Sequence, residues 1–274
     1  MRHLLCWLWL WLCLLAFLPG GADEIPAHGL TLRRTIDLQR TTRQPGALTA
    51  DRRFIYVTER TGGLNKYDAE GALLTSLPRI NGNFFAAADI AQDNEYLYLT
   101  DEISKTIIKI NKQLDLSSAY HLAVRHTELL SPAGLYLDKN QDIYLTDSSA
   151  DLVYKINAFG VVEWRKGIFG DAVESLNAPQ ALTIYRNNLH VLDSGNKAIK
   201  TISPEKTTIL LTRPDMLSLA AQQDQLFIGT KKGVLNYPRG KLLTADYASD
   251  LYVLDNLLYV LDGQRRKILI YEIR

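Results

Sequence analysis

One short phrase, repeated six times, constrains this chain more than any other feature. Alternating apolar and aromatic residues run into an acid at Ile55-Tyr56-Val57-Thr58-Glu59 and again at Leu97-Tyr98-Leu99-Thr100-Asp101. Further copies stand at Ile143-Tyr144-Leu145-Thr146-Asp147, Leu189-His190-Val191-Leu192-Asp193 and Leu258-Tyr259-Val260-Leu261-Asp262, with a degraded one at Leu226-Phe227-Ile228-Gly229-Thr230. Their last positions are 59, 101, 147, 193, 230 and 262, so the steps run from 46 residues down to 32. Each copy follows a short apolar strand and a polar turn. A third strand and a more variable fourth come after it. Period-two alternation between Asn, Asp and Gly turns marks antiparallel strands. Four such strands cannot bury both faces alone, and they stack radially. The expected fold is therefore all-β, a six-bladed β-propeller of four-stranded blades. The sixth copy stops at Arg274 after its third strand, and Leu30 to Leu38 is expected to complete that blade and close the ring. The stretch Ala123 to Leu130 is the one place where a helical turn or two is expected.

The segment Asp193-Ser194-Gly195-Asn196-Lys197-Ala198-Ile199 resembles the strand-to-loop signature of the NHL family of propellers. Leu176-Asn177-Ala178-Pro179-Gln180-Ala181-Leu182 is similar to that family's lead-in to a blade, and Pro45-Gly46-Ala47-Leu48 and Pro132-Ala133-Gly134-Leu135 are shorter versions. The resemblance covers nearly all of residues 23–274 and implies protein–protein association or sensing. It narrows function little, because propellers host many unrelated activities.

The chain opens with Met1-Arg2-His3, an apolar run from Leu4 to Leu18, and Pro19-Gly20-Gly21-Ala22. This order reads as a secretory signal peptide over 1–22, with residues 23–274 as one propeller domain. The competing reading is an uncleaved anchor, for which the run is short of the roughly twenty residues that span a bilayer. Both cysteines, Cys6 and Cys13, fall within it. The domain itself then has no disulfide, thiol nucleophile or cysteine–metal site. Export without disulfides points to a bacterial periplasm, or to secretion. Without Arg2 the basic and acidic side chains balance at 30 each. No nucleic-acid partner and no membrane insertion after cleavage are expected from that charge.

Acids recurring at strand ends are expected to serve their own loops, as an Asp there accepts from backbone N–H groups. Tyr56, Tyr98, Tyr144 and Tyr259, with His190 in the fourth copy, read as packing between blades. Asp138 to Asp142 starts like a calcium loop but carries Ile143 and Ser149 where glycine and glutamate are needed, so it reads as a hairpin turn. Ser203-Pro204-Glu205-Lys206 has the S-x-x-K spacing, yet sits between strands and reads as a turn. Binding candidates are residues that break the repeat. Arg60, Lys105, Lys197, Lys231, Lys232, Arg265 and Arg266 fall in loops that share one face, where a basic rim would suit an anionic ligand or an acidic protein partner. Phe84 and Phe85 adjoin in one loop. One is expected to fill a blade interface and the other to stay exposed as an anchor.

Two functions from different classes follow. The first is a non-catalytic exported scaffold that binds a protein or ligand on its loop-rich face, with no cofactor. The alternative is a lactonase or lyase dependent on calcium or magnesium, as related six-bladed propellers imply. Its ligands would come from Asn81, Asn83, Asp89, Asn177, Asp215 and Asp250.

Overall fold

A computed structural model describes residues 29–122 and 124–274. The segment 1–22, read above as a signal peptide, lies outside the described residues. The chain forms six four-stranded antiparallel sheets arranged as blades. Blade one comprises Pro45–Ala50, Phe54–Glu59, Leu64–Asp68 and Leu73–Leu77. Blade two comprises Ala87–Gln92, Tyr96–Asp101, Thr106–Asn111 and Tyr120–Leu122. Blades three, four and five begin with Pro132–Leu137, Pro179–Tyr185 and Met216–Gln222, and repeat the same order. Blade six runs Asp250–Leu254, Leu257–Asp262 and Lys267–Ile273, and its outer strand is Leu30–Asp37 from the other end of the chain. That strand pairs antiparallel with Lys267–Ile273, from Leu30 opposite Ile273 to Asp37 opposite Lys267. The closure read from the sequence is the one observed. The helical turn expected within 123–130 is not found in its described part. Backbone hydrogen bonds there make isolated turns, and the one short 3-10 turn of the described residues is Leu116–Ser118, where Asp115 caps the Ser117 amide.

Packing follows the alternation. One side of each second strand faces the blade before it and the other faces the blade after it. Ile55 and Val57 pack on Leu261 and Ile268 of blade six, whereas Tyr56 packs on Ile90 and Leu97 of blade two. Every blade interface holds a cluster of this kind, so the core is six wedges around a channel. Tyr98 and Tyr259 are buried as expected, while Tyr144 is half-buried and meets Tyr136 and Trp164 edge-on. His190 is 4% exposed against Tyr185, its Nδ1 3.1 Å from Thr201 Oγ1, and burial holds its pKa down.

The signature acids staple each second strand to the segment that leads into its own blade. Glu59 accepts from the amides of Arg43 and Gln44, Asp101 from Ala86, Asp147 from Leu130 and Ser131, and Asp193 from Asn177. Asp262 accepts from its own loop at Arg265. Asp138–Asp142 is a hairpin turn in which Asp138 accepts from Asn140 and Asp142. Ser203 to Lys206 is likewise a turn, closed by the Ser203 N–H to the Lys206 carbonyl.

Candidate functional site

The loops after the second strands and the segments leading into the first strands meet on one face. Arg60 N–H donates to Gln44 O, Glu102 to Ala86, Ser148 to Ser131, and Lys231 to Asp215. At the centre of this face the channel opens, and its wall is shaped by a repeated bulge. In blades one to five the pairing of first and second strands slips, for instance between Pro45 and Leu48 and between Ala87 and Ile90. A bulge lifts its residues out of the ladder and re-aims them. In blades one to three the freed amide is taken by the threonine of the signature phrase. Ala47 donates to Thr58 Oγ1 at 2.9 Å, Asp89 to Thr100 at 2.9 Å and Gly134 to Thr146 at 2.8 Å. Thr100 and Thr146 pass the bond to carbonyls of the next blade, at Ala133 and Gln180. Blade five departs at both partners together. Gly229 stands where the threonine would be, and a Cβ there would lie 2.2 Å from Ser218 Oγ.

The registers place one residue of each blade at the same height on the wall: Ala47, Asp89, Gly134, Ala181, Ser218 and Asp250. Four are small and two are acids. Blades two and six flank blade one around the ring, so the two carboxyls stand on either side of Ala47. Both line an outer chamber of about 210 Å³ and an inner one of about 260 Å³. Asp89 accepts from Leu135 N at 2.7 Å and from Ile90 N, and Asp250 accepts from Leu48 N at 2.7 Å. Each acid thereby ties its blade to the next. Burial raises Asp89 to about 7 against those amide bonds. Burial, and then the charge of Asp89, hold Asp250 well above the carboxylate range, while Arg60 at the mouth pulls it back.

Of the basic candidates, Arg60 is exposed at the channel mouth, and Lys105, Lys197, Lys231 and Lys232 are exposed in their loops on the same face. Arg265 is partly committed within its own blade, 3.0 Å from Asp262 Oδ2 and 3.8 Å from Asp246 Oδ1. Arg266 donates to the Gln39 carbonyl. The aromatic pair divides. Phe84 is 57% exposed with the Arg79 guanidinium 3.8 Å above its ring, and Phe85 is 1% exposed. Phe85 is the member that fills the wedge between blades one and two, which leaves Phe84 as the exposed binding candidate of the pair. Of the metal candidates, the structure brings together Asp89 and Asp250. Asn81 and Asn83 lie exposed in a surface turn, Asn177 is packed against Gly195, and Asp215 is held by Arg213 at 2.5 Å. None of these four lines either chamber. Among the described residues no group of three His, Cys, Asp or Glu side chains is placed to hold a metal ion.

The same face carries an apolar arc that sequence reasoning missed. Ile103 is 59% exposed in the loop of blade two, Leu130 46% before blade three, and Ile168, Phe169 and Val173 68%, 71% and 45% before blade four. With Phe84 they sweep from blade two to blade four. The last three ride on a loop held from beneath. Lys200 Nζ, 1% exposed, bonds the carbonyls of Ala172 and Ser175 and pairs with buried Asp193 at 2.8 Å. Asn196 adds a bond to the Gly170 carbonyl.

No protein-family model matches this chain, and no curated protein matches it. Solved structures do. A catalytically inactive virginiamycin B lyase from Staphylococcus aureus with quinupristin is 11% identical, with a TM-score of 0.64 over 89% of this chain and 100% of that one. A streptogramin B lyase is 12% identical at the same TM-score, covering 89% and 98% of the two chains. The WD40 repeats of RRP9 are 16% identical, with a TM-score of 0.66 over 89% of this chain and 100% of that one. At such identities the likeness is one of fold, and the fold it shows is the β-propeller.

Proposed function

We propose that this chain is an exported, non-catalytic scaffold of NHL-type repeats that holds a protein partner on its loop-rich face, in the bacterial envelope or outside the cell. The observation that carries this reading is the apolar arc of Phe84, Ile103, Leu130, Ile168, Phe169 and Val173. Scattered apolar residues are normal on a surface, whereas several on one sector of one face mark an interaction site. Exposed Lys105, Lys197, Lys231 and Lys232 share that face, so the fitting partner presents an apolar surface beside acidic side chains. The loop that carries Ile168, Phe169 and Val173 is tied down by Lys200 and Asn196, and such tethering lowers the ordering entropy of association. The RRP9 neighbour is built on the same architecture of repeats.

The test compares capture from envelope extract by the native chain and by the triple variant Ile103→Ser, Ile168→Ser, Phe169→Ser. All three side chains are more than half exposed, so the melting temperature is expected to hold while a specific band is lost. Equal capture by both proteins removes the arc from consideration.

The meeting of Asp89 and Asp250 in the channel favours a second reading, a calcium- or magnesium-dependent lactonase or lyase. A saturable rise in melting temperature with either ion, lost in Asp250→Asn, would support it.

A further inference from the structure

The channel wall carries several acceptors whose hydrogen-bonding capacity is not used up. Asp89 and Asp250 each retain oxygen lone pairs beyond the amides they accept from. Ser218, at the same height, lines the outer chamber and is 2% exposed, and its Oγ has no hydrogen-bond partner. Gln92 lines the inner chamber. Its Nε2 bonds Ala50 O and Tyr252, while its Oε1 is buried and unpaired. Orphaned buried polar atoms are few in folded proteins, and each calls for a partner. Among the described residues Arg60, at the mouth, is the one basic side chain lining either chamber. Enclosure raises both carboxyls, and the charge of Asp89 raises Asp250 further, so a cation between them is favoured.

The approach has a definite shape. The outer chamber is walled by Gly46 and by alanines at 47, 86, 87, 88, 133 and 181. These small side chains alternate with Arg60, Glu102, Ser148, Gln180 and Ser249, so the approach offers methyl groups and hydrogen-bonding groups together. A primary ammonium brings three N–H donors and one positive charge on a slim alkyl chain. We propose that the channel is a binding site for a primary alkylammonium group, which enters from the loop-rich face and lodges between Asp89 and Asp250 with Ser218 Oγ as a further acceptor. The chemistry is shared by the side chain of a lysine and by a free linear amine. The site stands independently of the scaffold reading, since it needs no residue of the apolar arc.

The test is calorimetric titration of the native chain at pH 8 with two probes, 1,5-diaminopentane and Nα-acetyl-lysine methylamide, and with 1-pentanol as the uncharged control. Saturable binding of at least one amine and none of the alcohol is expected. Preference for the lysine derivative assigns the site to a protein side chain, and preference for the diamine assigns it to a small metabolite. Asp89→Asn with Asp250→Asn is expected to weaken binding at least tenfold, and Ser218→Ala severalfold. Because the acids also tie blades together, a second variant guards against misfolding. Ala88→Leu narrows the chamber while keeping both carboxyls, and is expected to block binding with the melting curve intact. The proposal is overturned if neither amine saturates, or if both still bind Ala88→Leu as tightly as the native chain. Displacement of the bound amine by millimolar calcium or magnesium, with those ions binding more tightly, would overturn it in favour of the metal reading.

Discussion

At the scale of single residues, the same acid type is used in two opposite ways. Asp101, Asp147, Asp193 and Asp262 lie at strand ends and are satisfied by loop amides, as their recurrence suggested. Asp89 and Asp250 lie where the other blades have Ala, Gly or Ser. Their raised pKa values carry a stability consequence whose sign can be worked out. An acid with a folded-state pKa above its unfolded value holds more protons when folded, so stability falls as pH rises through the interval between the two. For Asp89 that interval runs from the ordinary value of 3.8 to about 7. Urea midpoints of the native chain and of Asp89→Asn with Asp250→Asn should therefore diverge with pH. From pH 4.5 to 7.5 the native chain should lose about 2–4 kcal/mol relative to the variant. A constant gap across that range would mean that the pair does not titrate as described. The two acids were individually visible in the sequence, but their pairing was not. Aligning the blades on the signature acid puts Ala47, Asp89, Gly134, Ala181, Ser218 and Asp250 in one column. Only the ring, which sets blade six beside blade one, turns residues 161 positions apart into neighbours across Ala47.

At the scale of elements, the loop that leads into blade four stands out. Residues 167–178 form no regular strand, yet the loop is held by a lysine as buried as any core residue. Charge burial of this kind is tolerated when the ion is paired and its donors are used, and removal of one partner is costly. Lys200→Met leaves Asp193 and the carbonyls of Ala172 and Ser175 facing an apolar side chain. A loss of about 3–5 kcal/mol is expected in chemical denaturation, together with faster proteolysis between residues 167 and 177. Unchanged cleavage there would show that Asn196 and the Phe169–Leu176 bridge suffice to hold the loop. Strands were read well from the sequence, since alternation and turn residues are local properties. The threonine of the signature phrase was read as part of a strand. Its service to the bulge amide was hidden because the partner lies on another strand. The apolar arc escaped for a similar reason. Gly167-Ile168-Phe169-Gly170 looks like any short apolar run until the fold shows that nothing covers it.

At the scale of the whole molecule, stability rests on a ring that is sealed once. Ile36 and Leu38, 4% and 0% exposed, pack into the wedge with Leu261 and Ile268. Ile36→Ala is expected to cost about 2–5 kcal/mol, whereas Leu74→Ala, at a half-exposed position on the outer strand of blade one, should be nearly silent. Removal of residues 29–37 should go further and free the outer edge of Lys267–Ile273 for pairing with other chains. Size-exclusion chromatography of that truncation should show association, and a monomer of native melting temperature would contradict the role given to the strand. The six-fold plan and its closure were legible because a repeat that ends one strand short names what it lacks.

The pairing of Leu30–Asp37 with Lys267–Ile273 also sets an order in time. The ribosome makes the sealing strand among the first residues of the domain and its partner among the last, so the strand waits through more than two hundred residues with its edge unmatched. A chain that stops before Lys267 lacks the strand on which Leu30–Asp37 docks. The seam is thus the pairing of greatest sequence separation among the blades, and it can close only after the strands between have been made.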